Sequence, residues 1–502
     1  MFNLADSIFF KPRELSLRRV EISDRDNPFI RYKELDDHPA TVIGLKLKKG
    51  SKGGEENIED YCIPYTRSWL QAMHGAVLKE TRGGKTTTLQ ARAYRFLCYP
   101  RNKQPVIVIG GEKIEDFLHF LVPIDLARRK DDKLVKRLRM FPDPQEEGND
   151  KPKAINPKKL NIWMVFNPNY INEYIYELYE DGILRFFAFE PKMQFELREF
   201  AEASMRLEEI QSLAYNILVD LYCKDIDIGS VSIEEFAEFV RNSELIHHAA
   251  KKGLDLKIMS LKTKGIIRDK NDRTEETEYG DIKIEIIGKN YIKEKILNGG
   301  KAIHAFTPAS MTRGFRTWEA ASFVLLVFGA FMQCVWEGAC RQLTPFWLEE
   351  AETTFGDRAS SYRSVREIQS SASEVLEYQA RLVAGLNAEF WISTQNPRLI
   401  RPSTYGQLHQ KTLLAGFYDI DYVLYHKREK MLFENKPELY ERIATKLPRG
   451  FAVDILTIDK PQLVEYMVAI PPCHVPHDNE SFIEFMELYR RWKNEFGYYH
   501  YP

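Results

Sequence analysis

Residues His74 to Gln90 read HGAVLKETRGGKTTTLQ, and this stretch decides the fold. GAVLKE is a short apolar run of strand character, and TTTLQARAYRFL, from Thr86 onward, carries the apolar spacing of a helix. Between them stand Gly83, Gly84, Lys85 and Thr86, the residue types that a phosphate-binding loop needs in the place where it needs them. Glycines let backbone N–H groups close on phosphate oxygens, Lys85 brings a point charge to the terminal phosphates, and Thr86 is placed to hold Mg²⁺. The flanking strand and helix weigh more than the tripeptide Gly-Lys-Thr, which is common by itself. One position departs from the pattern: Lys79 stands where such loops begin on glycine, so a side chain has to be accommodated at that turn.

Working outward, PVIVIGG (Pro105 to Gly111) is a continuous β-branched run, as expected of a strand buried on both faces. Strand, helix and strand together predict a parallel α/β unit. After Phe141 the composition turns to PDPQEEGNDKPKAINPKK, an exposed connection. WMVFNP and LRFFAFEP read as short strands stopped by proline. From Met193 to about Leu254 the spacing of Phe200, Met205, Ile210, Leu213, Ile217, Leu218 and Leu221 predicts a helical insertion. Asp269 to Thr277 (DKNDRTEET) reads as a solvated loop. Alternation resumes with AIHAF, an apolar helix after Trp318, PFWLEEAE, a helix around Ser371 to Leu386, and EFWISTQ. The expected division is a small N-terminal domain over 1–59, an α/β core over 60–140 and 256–470, an inserted and largely helical region over 141–255, and a C-terminal tail or helix over 471–502.

A chain of 502 residues with 44% hydrophobic and 12% aromatic side chains has the material for a large core. Lys and Arg number 71 against 73 Asp and Glu, so the charge total points to no particular partner and any basic surface must be local. The cysteines Cys62, Cys98, Cys223, Cys334, Cys340 and Cys473 contain no C-x-x-C pair and read as reduced thiols, neither a disulfide framework nor a zinc ribbon. The first residues lack the pattern of a secretory signal. Ala320 to Trp336 is uncharged but short of the ~20 residues of a membrane span, and reads as a buried core helix. These features lead us to expect a cytoplasmic protein, free or recruited to a membrane.

Two further strand ends carry chemistry. PFWLEEAETT ends in Glu349 and Glu350, where one acid can hold Mg²⁺ while the next polarises an attacking water. Without the phosphate loop, a solvated helix start would be the better reading of two adjacent glutamates. EFWISTQ ends in Ser393, Thr394 and Gln395, polar groups able to touch a γ-phosphate or orient water; alone, it is a loop. Arg128 to Arg139 (RRKDDKLVKRLR) either contacts a phosphate backbone, through Arg128, Arg129, Lys130, Lys136 and Arg137, or is a solvated helix face. Lys427, Arg428 and Lys430 share that ambiguity. CHVPH (Cys473, His474, His477) lacks a fourth ligand for a metal, and His247-His248 reads as surface.

Taken in chain order, Lys85, Glu349-Glu350 and Gln395 resemble the HerA/FtsK superfamily of P-loop ATPases, especially the HerA-like and VirB-type conjugation ATPases. His74 before the first strand, Thr87 and Leu89 after the loop, Leu348-Glu349-Glu350-Ala351, and Ser393-Thr394-Gln395 followed by Asn-Pro all fit. Softer likenesses extend the match from about residue 60 to 460. Three positions depart: Lys79 for the first loop glycine, Glu349 for the usual aspartate, and Gly110-Gly111 where the family often carries an acid.

The resemblance implies a RecA-like P-loop core with a mainly parallel sheet, ATP and Mg²⁺ as cofactors, and a homo-oligomer, a hexamer, that moves double-stranded DNA. Gly83, Gly84, Lys85, Thr86 and Thr87 would bind nucleotide, Thr86 and Glu349 the metal, and Glu350 would activate water with Gln395 reporting hydrolysis. An arginine supplied across the ring interface is also implied, Arg381 first and Arg366 second. A nuclease, or a membrane secretion or conjugation complex, stands as a candidate partner. Two other readings stay open: an ATPase that powers secretion or pilus assembly without DNA, and a degenerate ATP-binding ring subunit. The efficiency of turnover hangs on Lys79 and Glu349.

Overall fold

The structure is a computed structural model that describes residues 30–31, 42–47, 58–64, 74–80, 83–98, 103–111, 113–124, 135, 157–205, 207–225, 232–269, 273–312, 318–356, 363–435, 437–457, 462–471 and 479–496. Its centre is a parallel array in the order β13 (Gln410–Leu414), β4 (Gly75–Leu78), β12 (Ala388–Thr394), β11 (Thr344–Glu349), β5 (Val106–Gly110), β10 (Ile303–Phe306), β6 (Leu160–Met164), β7 (Leu184–Phe189) and β9 (Gly280–Ile287). Antiparallel strands extend it beyond β13: β14 (Phe451–Leu456), β15 (Gln462–Val468), β2 (Val42–Leu47), β3 (Ile58–Pro64) and β1 (Ile30–Arg31). The expected α/β class with a mainly parallel sheet is what the chain adopts.

Central strands are mainly apolar because helices cover both faces. Successive side chains divide between the two layers: Ala76 and Leu78 of β4, Phe346 and Leu348 of β11, and Phe390 and Ile392 of β12 enter one core. Val77, Trp347 and Trp391, one residue out of phase, enter the other. The second layer is closed by α1 (Lys85–Cys98), α2 (Glu173–Glu180) and, near the C-terminus, the helix Asn479–Phe496, whose Phe485, Met486 and Tyr489 are buried. Tyr489 also donates to Asp181 Oδ2 at 2.9 Å, tying that helix to the end of α2.

The first layer is closed by α3 (Arg198–Met205), α4 (Glu209–Asp225), α5 (Ile233–Asn242), α6 (His248–Thr263), α7 (Trp318–Trp336) and α8 (Arg363–Leu382). Helix α7 is the apolar segment noted above. It is long and apolar enough to cross a bilayer, yet 83% of its 18-residue window is buried in the protein. Phe323, Leu325, Val327, Phe328 and Phe331 pack there, each stabilising the layer by about 1.5–3 kcal/mol relative to exposure.

Two local expectations are corrected. Thr274–Thr277, read as part of a solvated loop, is strand β8, paired antiparallel with β9 through Thr274↔Lys283 and Glu276↔Asp281. All four residues of this edge strand are polar and none is buried, so it carries no apolar alternation and composition hid it. Within α4 the buried side chains are Ala214, Tyr215, Leu218, Val219 and Tyr222, whereas Ile210 (73% exposed), Leu213 and Ile217 face outward. The chain breaks between α3 and α4, so a helical phase carried across that break does not hold.

Candidate phosphate-binding site

Register builds the site. Thr394 lies opposite Leu78, Ile392 opposite Leu348, and Glu349 opposite Gly110, so β4, β12, β11 and β5 end level at their carboxyl edge. Each chain leaves its strand at the same height, which is where open α/β sheets present ligand sites. The loop after β4, the two glutamates after β11 and Gln395 after β12 are thereby gathered from positions more than three hundred residues apart.

Gly84 has a positive φ of 89° and would find nothing within 4 Å of an added Cβ, leaving its backbone open at the N-terminus of α1. The first turn of α1 carries no acidic residue to compete with an anion. Thr88 closes that turn, its N–H and its hydroxyl both donating to Gly84 O, at 2.9 and 2.8 Å. Lys85 is buried to 6% exposure and bends back over the loop, its Nζ donating to Lys79 O at 2.7 Å and Glu80 O at 3.2 Å. Burial lowers its pKa, opposed by Glu352, Glu349, Glu350 and Glu80. Thr86 and Thr87 are half-buried in the first turn.

The misfit at Lys79 has a structural answer. Among the described residues the non-glycines with positive φ are Glu350 and Asn387, so Lys79 sits in ordinary backbone and needs no glycine's freedom. Its side chain runs across Gly83, where an added Cβ would stand 1.8 Å from Lys79 Cγ. Its Nζ pairs with Glu80 at 2.5 Å and would lie 2.9 Å from a Cβ on Gly416.

Across the cleft from Lys85 stand the acids. Glu349 is 8% exposed and accepts from the Ser393 hydroxyl at 2.8 Å. Burial, then Asp116, pushes its carboxyl up to about 8; Ser393 and Lys85 pull the other way. Asp116, in the turn Ile114–Phe120 after β5, is itself raised to about 6 by burial. Glu350 adopts a left-handed backbone at φ 48°, a strained conformation for a non-glycine, and its N–H donates to Ser393 Oγ at 3.1 Å. Its Oε1 accepts from Gln395 Nε2 at 2.8 Å. Glu352, two residues further, is 4% exposed and its Oε1 accepts from the backbone N–H of Gln395 at 3.0 Å.

The structure therefore brings Gly83, Gly84, Lys85, Thr86, Thr87, Glu349, Glu350 and Gln395 to one edge. Arg381, near the end of α8, is 53% exposed and pairs with Glu377 one turn earlier; Arg366 lies on the same helix. Arg128, Arg129, Lys130, Lys136 and Arg137 lie outside the described residues, as do Cys473, His474 and His477. Lys427, Arg428 and Lys430 are exposed at the start of the helix Lys427–Glu434. His74 serves the scaffold: its buried Nδ1 accepts from Phe390 N–H at 2.9 Å, and burial lowers its pKa to about 4, which keeps it neutral. Cys334 and Cys340 are free buried thiols, pushed up to about 12 and about 11 by burial. Sequence reading missed Glu352 and Asp116, whose neighbours give no strand-end signal, although Glu352 was visible as the third acid in LEEAE.

The residues present suit Mg-ATP. The glycine cradle is open at Gly84, and one lysine, Lys85, faces four carboxyl groups. A divalent cation would supply positive charge beside the buried Glu349 and Glu352. Among the described residues no three His, Cys, Asp or Glu side chains form a metal set by themselves.

A phosphate loop between β4 and α1, with the acid-bearing β11 separated from β4 by β12, defines a P-loop NTPase core of RecA-like fold. Solved structures similar to this chain include VirB4 of Thermoanaerobacter pseudethanolicus, at 13% identity and TM-score 0.45 over 88% of this chain and 98% of that one. The bacterial conjugative coupling protein TrwB follows at 12% identity and TM-score 0.48, over 83% and 89%. The conjugation coupling protein TcpA matches at 10% identity and TM-score 0.30, over 89% and 70%. These are P-loop ATPases of the HerA/FtsK type. No protein-family model and no curated protein matches the chain. At such identities and TM-scores, fold and function alike are argued from this chain's own strand order and residues.

Proposed function

We propose that the chain is an ATP-hydrolysing motor of the HerA/FtsK kind that assembles as a homohexamer and moves double-stranded DNA. The observation that carries the ATPase part is the Gln395 Nε2 to Glu350 Oε1 contact of 2.8 Å beside Lys85, an amide holding a carboxylate at the mouth of a phosphate loop. Gly83, Gly84, Lys85, Thr86 and Thr87 would hold the nucleotide, and Thr86 with Glu349 the Mg²⁺. The metal, when bound, neutralises charge on the phosphates. Glu350 takes the proton of the attacking water, and Gln395 senses which phosphates are present. Arg381, exposed on α8, is offered to a neighbouring subunit. DNA contact is assigned to Arg128, Arg129, Lys130, Lys136 and Arg137, and this part rests on the motif resemblance.

The departures at Lys79 and Glu349 favour the second reading, an ATP-binding ring subunit with slow turnover. Steady-state hydrolysis with and without double-stranded DNA separates the readings. DNA-stimulated turnover that falls ~100-fold or more in Lys85→Ala and Glu350→Gln supports the motor. Binding without turnover supports the ring subunit. Turnover indifferent to DNA, with no salt-sensitive DNA binding, supports an ATPase of secretion or pilus assembly.

A further inference from the structure

Gln395 is gripped twice from the same short turn. Its side-chain amide donates to Glu350 Oε1 at 2.8 Å and its backbone N–H to Glu352 Oε1 at 3.0 Å. Glu350 and Glu352 are two residues apart, on either side of Ala351, whose own N–H donates to Ser393 O at 2.9 Å. The turn is fixed from behind by Gln369 of α8, fully buried, whose Nε2 donates to Glu352 O at 3.3 Å and Thr353 O at 2.7 Å. A buried carboxyl group costs stability unless it is bonded, and Glu352, 4% exposed, takes the Gln395 backbone N–H on Oε1. A side chain that only filled this space would do better as an apolar residue.

Glutamine has three rotatable bonds, so its amide stays on Glu350 only if the backbone from which it springs is held. Glu352 supplies that hold. We propose that Glu352 is a positioning residue for ATP hydrolysis: by fixing the Gln395 backbone, it keeps the Gln395 amide on Glu350 and so keeps the Glu350 carboxylate aimed at the water it activates. Glu352 acts on Glu350 through Gln395. The inference rests on the ATPase reading, and one arm of its test does not.

The full chain is compared as wild type, Glu352→Ala and Glu352→Gln, with Glu350→Gln as the reference for loss of the base. Glutamine keeps a carbonyl acceptor for the Gln395 N–H, and alanine does not. The expected result is a kcat about tenfold lower in Glu352→Ala, KM for ATP within about threefold of wild type, and recovery of most of the loss in Glu352→Gln. Hydrogen exchange at the Gln395 amide is followed without nucleotide; it should quicken in Glu352→Ala and return in Glu352→Gln. Unchanged kcat in Glu352→Ala, equal losses in both variants, or an unchanged Gln395 amide would overturn the proposal. Should Glu352→Ala not fold, Glu352→Asp, whose arm is too short to reach, takes its place with the same expectations. A wild type without turnover defeats the ATPase reading alone, and the exchange arm then supports or overturns the positioning contact.

Discussion

At the scale of single residues, the departure at Lys79 is compensated rather than tolerated. Its stem occupies the space above Gly83, and its ammonium group reaches Glu80. A methyl group on Gly83 would collide with the near end of that stem, not with its flexible tip, so relief requires removing the stem. Gly83→Ala should therefore weaken binding of a fluorescent ATP analogue about tenfold, while Lys79→Gly alone changes it little and the double variant recovers. Additive effects in the same titration would sink this account. The buried acid makes a second prediction. Glu349 has a carboxyl raised from 4.5 to about 8, burial being the largest cause. Between those values the folded chain holds a proton that the unfolded chain has released, so stability falls as pH rises through the window. The melting temperature of nucleotide-free protein should thus decline from about pH 5 to about pH 8.5 more steeply in wild type than in Glu349→Gln. Parallel curves would show that Glu349 ionises like an exposed acid.

At the scale of elements, the phosphate loop is set by how α1 is docked, and a buried polar cluster does the docking. Arg92 of α1, 1% exposed, donates through Nη2 to Thr412 Oγ1 of β13 and to the Tyr466 hydroxyl of β15, both at 3.0 Å, and lies 4.7 Å from the Trp391 ring centroid. Tyr466 in turn donates to Asp454 of β14 at 2.8 Å. Arg92→Leu leaves Asp454 without its buried cation and should cost about 3 kcal/mol, read as a drop in melting temperature. Changing Asp454 to Leu as well should return part of that loss, since an apolar pair no longer buries a lone charge. A double variant weaker than the single would show that the aspartate is held by its other hydrogen bonds. None of this network was legible in the sequence, because Arg92, Thr412, Asp454 and Tyr466 meet only through strand order. The legible elements were those with covered faces or fixed turn chemistry: β4, β5, β11 and β12 announce themselves by apolar runs ending in glycine or polar residues, and α1 by apolar residues at helical spacing after the glycine turn. Strands β13 (QKTLL) and β9 (GDIKIEII) did not, the first having a buried lysine and threonine at its centre and the second alternating as an edge-facing strand does.

At the scale of the whole molecule, the cation that faces the acids among the described residues is Lys85, whose side chain is turned toward its own loop. Phosphoryl transfer gains several orders of magnitude from a second positive charge, and a ring can deliver it from the next subunit. Arg381, the residue proposed above for that role, is exposed near the end of α8, which precedes β12 and the Gln395 that follows it. Its pairing with Glu377 is a surface contact of small energy, easily exchanged for a phosphate. If Arg381 acts across an interface, Arg381→Ala and Lys85→Ala should each be inactive alone yet recover activity when mixed. An Arg381→Ala subunit keeps a complete phosphate loop, and a Lys85→Ala neighbour can lend it the arginine. In an equal mixture that reassembles at random, about one quarter of the interfaces combine a sound loop with a sound finger, which sets the expected recovery of ATPase rate. Mixed protein as inactive as its components would place Arg381 among solvating surface residues and send the search to Arg366 on the same helix.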